Sequence, residues 1–280
     1  PGMFLNVMLL YLIRRFSSRD LGAYKYLLAT FATYDIFLII MHAVIDLRAV
    51  ITQQLFGVVS YNFLDTSVCT SLYGACFMVP FSLLNIHFLY RYWFYSASTY
   101  LCMHSNLCLV SFVPMYREYF EFGRFCICEY GLDTTELGHA EARRNLAAGL
   151  NRSSIEGWFV FQREGRISAR TIATLLAYDV VMVIMLATSI CLAARTFVQI
   201  RREKSLSFAD RNSQMRILLT LCIQTVVPFV FVYSPFLCFF NLPLLGFRAP
   251  SVAAEITPYI HSIFPMLDAL VIIIFMRDYR

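Results

Sequence analysis

The sequence predicts an all-α membrane protein built as a bundle of seven transmembrane helices, and three observations support this prediction. First, 59% of the 280 residues are hydrophobic and only 15% are charged. A soluble domain typically carries about 25% charged residues. Second, the apolar residues collect in seven segments, most of them near the ~20 residues that a membrane-spanning helix needs. Third, basic residues concentrate in alternate loops. The same composition excludes a soluble, disordered or collagen-like chain, and no nucleic-acid partner is expected.

The apolar segments can be placed in order along the chain. They cover residues 1–13, 24–46, 66–92, 98–113, 172–194, 217–240 and 258–276. The first segment is only 13 residues long and ends at Arg14-Arg15, so we expect it to be the inner half of a truncated helix. The fourth segment is short and weak. Because no internal repeat occurs, we expect one domain over residues 1–280, with a long polar loop at about 114–170.

Basic residues in the short loops predict the orientation, because Lys and Arg stay on the cytoplasmic side. The first loop, the loop before the sixth segment and the C-terminus are rich in Arg and Lys. We therefore expect the N-terminus outside, the C-terminus inside and the long loop outside. The long loop contains Asn151-Arg152-Ser153, a candidate glycosylation site. The basic loop 195–216, with Arg201 and Arg202, would contact a G protein or anionic lipid, or would act only as a topology signal.

The third segment carries a stripe of chemically distinctive side chains. At 100° per residue, Tyr73, Phe77, His87 and Arg91 fall on one face. Tyr73 and Arg91 lie about 27 Å apart along the axis, at ~1.5 Å per residue. This pattern favours a ligand pocket at one end of the helix and a cytoplasmic switch at the other. It is equally typical of a packed helix whose arginine extends to the lipid headgroups.

Four motifs, in one order along the chain, resemble those of a known receptor family. His87-Phe88-Leu89-Tyr90-Arg91-Tyr92 resembles the H-F-x-Y-R-Y sequence that closes the third helix of nematode serpentine chemoreceptors of the Str family. Residues 21–27 and 224–228 are similar to that family's second and sixth helices. Residues 265–280 resemble its C-terminal P-x-x-D-P-L…K-D-Y-R pattern, except that Ala269 replaces the second proline.

The resemblance implies a G-protein-coupled receptor with the seven-helix fold. It implies that the chain binds a small-molecule odorant or chemical cue and activates a heterotrimeric G protein. It also implies a location in the lipid bilayer of the plasma membrane, in the cilium of a sensory neuron. By analogy, Arg91 with its neighbours Tyr90 and Tyr92 occupies the position that contacts or restrains the G protein.

Acidic residues and prolines inside the predicted helices are further candidates for a switch. Charged groups are costly in lipid and usually face the interior of a helix bundle. We hypothesise that Asp35 and Asp268 approach each other across a polar core that rearranges on activation; a static hydrogen-bonded pair is the alternative. Pro228 and Pro265 each remove a backbone hydrogen bond and create a place where a helix can bend.

A candidate ligand pocket is formed by side chains in the outer halves of the helices, mostly aromatic, which suits a small, poorly charged ligand. Its members are Tyr73, Phe77, Tyr178, Met182, Phe229, Tyr233, Phe236, Tyr259 and His261. Packing within the bundle or against lipid is the alternative for each of them. A disulfide from Cys69 to Cys126 or Cys128 would hold the long loop over this pocket, and free thiols are the alternative.

Other functional classes lack their motifs. Neither H-E-x-x-H nor Gly-x-Gly-Asp occurs, so we expect no catalytic residue, no metal site, no cofactor and no enzyme. A transporter would often show internal repeats. A ligand-gated channel of the insect odorant-receptor type has seven spans with the opposite orientation. Transporter and channel remain the alternatives, and glycosylation at Asn151 separates the two orientations.

Overall fold

The computed structural model describes ten stretches of the chain. They are residues 1–16, 24–51, 55–60, 73–76, 79–96, 157–163, 166–167, 169–203, 207–241 and 251–276. The predicted fourth segment, Cys69, Cys126, Cys128, Asn151 and most of the long loop lie outside the described residues, so the predictions made for them stay predictions.

The described stretches are mainly helical. The helices are α1 (Gly2–Phe16), α2 (Tyr24–Ile45), α3 (Val79–Ser96), α4 (Ala169–Arg202), α5 (Phe208–Pro228), α6 (Ser234–Asn241) and α7 (Ser251–Phe275). A helical turn at residues 73–76 precedes α3. Four strands complete the structure: β1 (Leu47–Ile51), β2 (Leu55–Ser60), β3 (Gly157–Arg163) and β4 (Arg166–Ile167).

Among the described residues, four helical segments are long and apolar enough to cross a membrane. They are Tyr24–Ile45, Tyr73–Trp93, Ala169–Arg202 and Phe208–Tyr233, and a shorter apolar segment covers Tyr259–Phe275. These segments match the predicted second, third, fifth, sixth and seventh spans. Inside the bundle, α1 packs between α2 and α7. Helix α3 packs mainly against α4, and α5 packs against α7.

Helices α4 and α5 extend well beyond the apolar segments that the sequence shows. Helix α4 has 34 residues, which corresponds to about 51 Å at ~1.5 Å per residue. Most of the predicted loop 195–216 is therefore helical. The Ser207 side chain accepts a hydrogen bond from the Asp210 backbone N–H at 3.1 Å and caps α5. Hydropathy marks only the lipid-buried part of a helix, so it could not detect these polar turns.

A small antiparallel sheet covers one end of the bundle, which the all-α prediction did not include. Its strand order is β1-β2-β3-β4, with Leu47 paired to Ser60 and Val59 paired to Gly157. Strands β1 and β2 follow α2, and β3 and β4 precede α4. Their β-branched and aromatic residues favour strands. We call this the sheet end of the bundle, and the opposite end, where α3 and α4 finish, the arginine end.

Two local backbone features shape the helices that line the core. Asp46 ends α2 with a φ of 44°, a left-handed conformation that Asp tolerates better than most residues. In the sixth span, residues Phe229–Tyr233 form a π-helical turn directly after Pro228, and the Ser234 N–H donates to the Phe229 carbonyl. Pro235 has no N–H to continue the regular α-helical bonds, which accounts for a wider turn at this position.

Candidate functional site

Arg91 lies near the arginine end of α3 and is buried, with 4% of its surface exposed. Its NH1 nitrogen donates a hydrogen bond to Oε1 of Gln214 on α5 at 2.9 Å. Its guanidinium carbon lies 3.9 Å from the ring centroid of Tyr24, at the start of α2. One side chain therefore connects three helices, through one neutral hydrogen bond and one cation–π contact.

Aromatic side chains surround Arg91 and hold it in place. Tyr24 is fully buried, stacks on Tyr90 at a centroid distance of 6.1 Å and lies 3.4 Å from Nδ1 of His87 through its hydroxyl. His87 also meets Phe31 edge to face. The described residues provide no hydrogen-bond partner for Nε and NH2 of Arg91. The guanidinium is thus removed from water and uses only part of its hydrogen-bonding capacity. Another hydrogen-bond acceptor could therefore compete with Gln214 for it.

Helices α3 and α4 are joined by a buried polar contact. Asn85 donates from Nδ2 to the Met185 carbonyl at 3.2 Å, and the Ser189 hydroxyl donates to Oδ1 of Asn85 at 2.9 Å. Both side chains are buried. These bonds fix the register of α3 against α4. Of the two polar contacts that α3 makes, the one to α5 at Arg91 leaves more hydrogen-bond donors without a partner among the described residues.

Asp35 on α2 and Asp268 on α7 occupy the centre of the bundle. Their side chains are 1% and 0% exposed, and the two helices that carry them pack against each other. Their carboxylate oxygens have no hydrogen-bond partner within the described stretches. Both predicted switch residues are therefore buried on helices that pack together.

Asn6 links α1 to α7 one turn from Asp268. Its Nδ2 donates to the carbonyl oxygen of Pro265 at 2.9 Å and to that of Gly2 at 3.1 Å. Asn6 is fully buried. Pro265, which was predicted to mark a bend in the seventh helix, is therefore also the point where α1 is attached.

Toward the sheet end, a second pair of ionisable residues lies on the same two helices. His42 lies seven residues after Asp35, and His261 lies seven residues before Asp268. Helices α2 and α7 pack together, and on each of them the acid and the imidazole are about 10 Å apart along the axis at ~1.5 Å per residue. Nδ1 of His42 is hydrogen-bonded to the Tyr73 hydroxyl at 2.8 Å.

The predicted pocket residues separate into two groups. Tyr73, Tyr178, Met182 and Tyr233 are buried, and His261 is half-buried. Tyr233 meets Phe81 edge to face at a centroid distance of 3.9 Å. Tyr259 is 72% exposed and Phe229 is also exposed, so the structure does not bring these two into the buried group. Phe77 and the side chain of Phe236 lie outside the described residues.

The remaining switch candidates lie near the arginine end or on the sixth span. Arg201 and Arg202 end α4 and are exposed, and Arg201 covers the ring of Phe197 at 4.5 Å. Tyr90 and Tyr92 are half-buried beside Arg91. Pro228 is buried at the start of the π-helical turn.

Sequence reasoning missed several residues that the structure connects to these sites. Gln214 was hidden in an expected loop, and Tyr24 and Asn6 carried no charge to attract attention. The spacing places His42 on the helical face of Asp35, but it was not among the chosen site candidates. Gln224, one turn before Pro228, is fully buried, and the described residues offer neither of its amide atoms a partner. Across the described ranges, no group of three His, Cys, Asp or Glu side chains could hold a metal ion.

Comparison with known proteins identifies the family. Residues 2–280 match the family described as serpentine type 7TM GPCR chemoreceptor Str. Serpentine receptor class r-10 of Caenorhabditis briggsae is 24% identical over 293 residues, covering 98% of this chain and 84% of the relative. Its namesake from Caenorhabditis elegans is 25% identical over 289 residues, with the same coverage of 98% and 84%. Serpentine receptor class J-38 of Caenorhabditis elegans is 20% identical over 285 residues, covering 98% and 86%.

These matches confirm the resemblance carried by the four motifs and explain the apolar helices as those of a multi-pass membrane protein. The chain belongs to the Str family of serpentine seven-transmembrane chemoreceptors.

Proposed function

We propose that this chain is a G-protein-coupled chemosensory receptor of the plasma membrane, which binds a small external molecule and activates a heterotrimeric G protein. The observation that carries the proposal is the position of Arg91. It is buried at the arginine end, on the motif that resembles the G-protein contact of the family, and is attached to α5 by a single hydrogen bond to Gln214.

The ligand would bind at the sheet end, among the side chains of α2, the turn before α3, α4, the sixth span and α7. Support comes from the buried aromatic residues Tyr178 and Tyr233 and from the hydrogen bond between His42 and Tyr73. An aromatic lining with a few polar atoms suits a small, uncharged molecule with one or two hydrogen-bonding groups. A disulfide from Cys69 to Cys126 or Cys128 would hold the long loop over this site.

Signal transfer would run from the sheet end to the arginine end through the sixth span. The π-helical turn after Pro228 is a place where this span can change its bend, since its backbone bonds are already irregular. A ligand that fits the bent form better would shift the population toward it. Movement of α5 away from α3 would then break the bond to Gln214 and expose Arg91, beside Arg201 and Arg202, to the G protein.

A ligand panel on cells expressing the chain tests this function. Small uncharged organic molecules are applied, and calcium or cyclic AMP is recorded for the wild type, Arg91→Ala and Arg14→Ala. Arg14 is an exposed arginine in the last turn of α1, outside the candidate residues, and serves as the matched control. We expect one or more compounds to give a response that Arg91→Ala abolishes and Arg14→Ala keeps. A ligand-evoked current that needs no G protein would instead favour the channel alternative.

Membrane orientation is tested separately with the sequon. We propose that the N-terminus and the long loop are outside, as the distribution of basic residues predicts. Enzymatic deglycosylation of the expressed protein should then increase its gel mobility, and Asn151→Gln should remove that shift. A chain that is never glycosylated at Asn151, while an engineered sequon at the C-terminus is, would support the opposite orientation.

A further inference from the structure

The third span contains a proline near the sheet end of the bundle. Pro80 is the second residue of α3 and is buried. The turn at residues 73–76 and α3 belong to one apolar helical segment, Tyr73–Trp93, so Pro80 lies within the span. In an α-helix each backbone N–H donates to the carbonyl four residues earlier, and proline has no N–H. The carbonyl of Cys76, four residues before Pro80, therefore lacks its regular helical donor.

A side chain from the neighbouring helix donates to this carbonyl instead. The hydroxyl of Tyr34 on α2 donates to the Cys76 carbonyl oxygen at 2.7 Å. Tyr34 and Cys76 are both buried, and a buried carbonyl left without a donor is costly. In membrane helices, backbone groups freed by a proline are often satisfied by a neighbouring helix. The Tyr34 hydroxyl thus replaces the donor that Pro80 cannot supply.

The sixth span accommodates a proline in a different way. Pro235 has no N–H for the Phe231 carbonyl, and the span widens there into the π-helical turn Phe229–Tyr233. In the third span, the described residues before and after 77–78 are α-helical. The donor from α2 therefore takes the place of a change in helix type.

The turn before α3 is attached to α2 at both of its ends. Cys76, its last residue, accepts the bond from α2 that replaces the helical one, and Tyr73, its first residue, is hydrogen-bonded through its hydroxyl to Nδ1 of His42 at 2.8 Å. Beyond Pro80, the Asn85 side chain donates to a backbone carbonyl of α4 at 3.2 Å. The angle between the turn and α3 therefore depends on how α2 and α4 hold the two parts of the span.

We propose that Tyr34 is a positioning residue of the third span, whose hydroxyl replaces the missing donor at Pro80 and thereby sets the position of Tyr73. A proline ring pushes against the carbonyl four residues earlier and bends the helix. The bond from Tyr34 holds that carbonyl in its present direction, so its loss would let the turn at 73–76 tilt about Pro80. The bond concerns the protein alone, whereas its effect on ligand response rests on the proposed function.

A double-mutant cycle between Tyr34 and Pro80 tests the bond without ligand or G protein. Pro80→Ala restores the backbone N–H, so the Cys76 carbonyl keeps one donor when Tyr34→Phe removes the other. Unfolding of the purified full chain in lipid micelles is followed as sodium dodecyl sulfate is added. We expect Tyr34→Phe to lower the ratio of folded to unfolded chain about fivefold. With Pro80→Ala present, Tyr34→Phe should change that ratio by less than about twofold.

The control for the cycle is Tyr26→Phe, on the same helix, because this side chain is 67% exposed and should behave as the wild type. An equal loss with and without Pro80→Ala would overturn the proposal, since the Tyr34 hydroxyl would then act through another group. No loss in either background would overturn it as well. If Tyr34→Phe alone does not fold, adding Pro80→Ala should restore folding, and a double variant that still fails would reject the proposal.

Infrared spectra of the chain labelled with ¹³C at its cysteine carbonyls report on the bond directly. A carbonyl that loses a hydrogen bond absorbs at higher frequency. We expect the difference between the wild type and Tyr34→Phe to contain one labelled carbonyl shifted upward, and we expect no such shift when Pro80→Ala is present. A labelled band that stays in place in Tyr34→Phe would mean that the hydroxyl does not donate to Cys76.

Concentration–response curves test the positioning role with an active compound from the ligand panel. Tyr34→Phe should lower potency, by less than the roughly tenfold expected for direct removal of the Tyr73 hydroxyl, and should leave the maximal response unchanged. Unchanged potency, with the infrared shift present, would overturn the positioning role. If no compound is active, the proposed function fails, while the unfolding cycle and the infrared shift still decide the bond at Pro80.

Discussion

Arg91 of α3 donates a hydrogen bond of 2.9 Å to Gln214 of α5, and no acidic side chain within the described ranges shares its charge. Gln214 lies in the polar turns of α5 that extend beyond the apolar segment. The contact therefore joins a buried residue at the end of the third span to the polar turns that precede the sixth span. A neutral partner holds an arginine less firmly than a carboxylate would, which suits a contact that must open.

Loss of the Gln214 acceptor should raise signalling in the absence of ligand. In Gln214→Leu, the resting arrangement loses a hydrogen bond to a charged group, worth about 1.5–3 kcal/mol. We expect the active population to rise by roughly tenfold or more, since about 1.4 kcal/mol corresponds to tenfold. Basal cyclic AMP or calcium, corrected for surface expression, measures this. Ser213→Ala, an exposed neighbour on the same turn, should behave as the wild type. Equal basal signals in Gln214→Leu and Ser213→Ala would contradict a role of the Arg91–Gln214 hydrogen bond in stabilising the inactive arrangement.

The Tyr24 ring should matter more than its hydroxyl group. Tyr24→Phe keeps the ring under the Arg91 guanidinium and removes the hydroxyl, whose contact to Nδ1 of His87 is a long 3.4 Å. Tyr24→Leu removes a buried cation–π contact worth about 2 kcal/mol. We expect Tyr24→Phe to preserve thermal stability and surface expression, and we expect Tyr24→Leu to lower both. If the Phe variant were as unstable as the Leu variant, the hydroxyl would be the important group.

The contact between Asn85 and Ser189 should stabilise the pairing of α3 and α4. We expect Ser189→Ala to reduce the free energy of unfolding by about 1 kcal/mol, since Oδ1 of Asn85 loses its donor. A double-mutant cycle with Asn85→Ala should give a coupling of about 0.6 kcal/mol, as for other membrane hydrogen bonds. Thr188→Ala is the control, because this exposed hydroxyl bonds only to the Ile184 carbonyl of its own helix. No coupling between Asn85 and Ser189 would exclude a joint contribution.

Tyr73 and Tyr259 should differ in their effect on ligand response, although both were predicted pocket residues. Tyr73→Phe removes the hydroxyl that is hydrogen-bonded to His42 at 2.8 Å. We expect a loss of potency of roughly tenfold, corresponding to about 1.4 kcal/mol. Tyr259→Phe alters a side chain that is 72% exposed and should leave potency unchanged. Concentration–response curves for any active compound measure both. A larger loss of potency in Tyr259→Phe than in Tyr73→Phe would indicate that the ligand binds at the outer face of α7.

Much of the bundle could be predicted from local patterns. Apolar segments identified the spans that the structure describes, because burial in lipid imposes an unbroken run of apolar residues. The motif around Arg91 and the motif at Pro265 identified the family, which the comparisons confirm. The face shared by Asp35 and His42 follows from helical spacing alone, and Asp268 and His261 on α7 repeat the same spacing of seven residues.

The rest depends on contacts between residues distant in the sequence. Gln214 lies 123 positions from Arg91, and nothing in its own neighbourhood indicates a buried partner. The polar turns of α4 and α5 have no hydropathy signal. The sheet at the end of the bundle joins residues 47–60 to residues 157–167, and pairing over such a distance has no local pattern. Pro228 indicated that the sixth span can bend, but not that the irregularity is a π-helical turn.

Nucleotide exchange on a G protein measures the role of Arg91 without any downstream signalling. Membranes containing the chain are mixed with a purified heterotrimeric G protein, and uptake of a labelled non-hydrolysable GTP analogue is followed with and without an active compound from the ligand panel. We expect the compound to accelerate exchange for the wild type and Arg14→Ala and to have no effect for Arg91→Ala. Compound-stimulated exchange that persists in Arg91→Ala, at equal expression, would contradict the role of Arg91 as the switch.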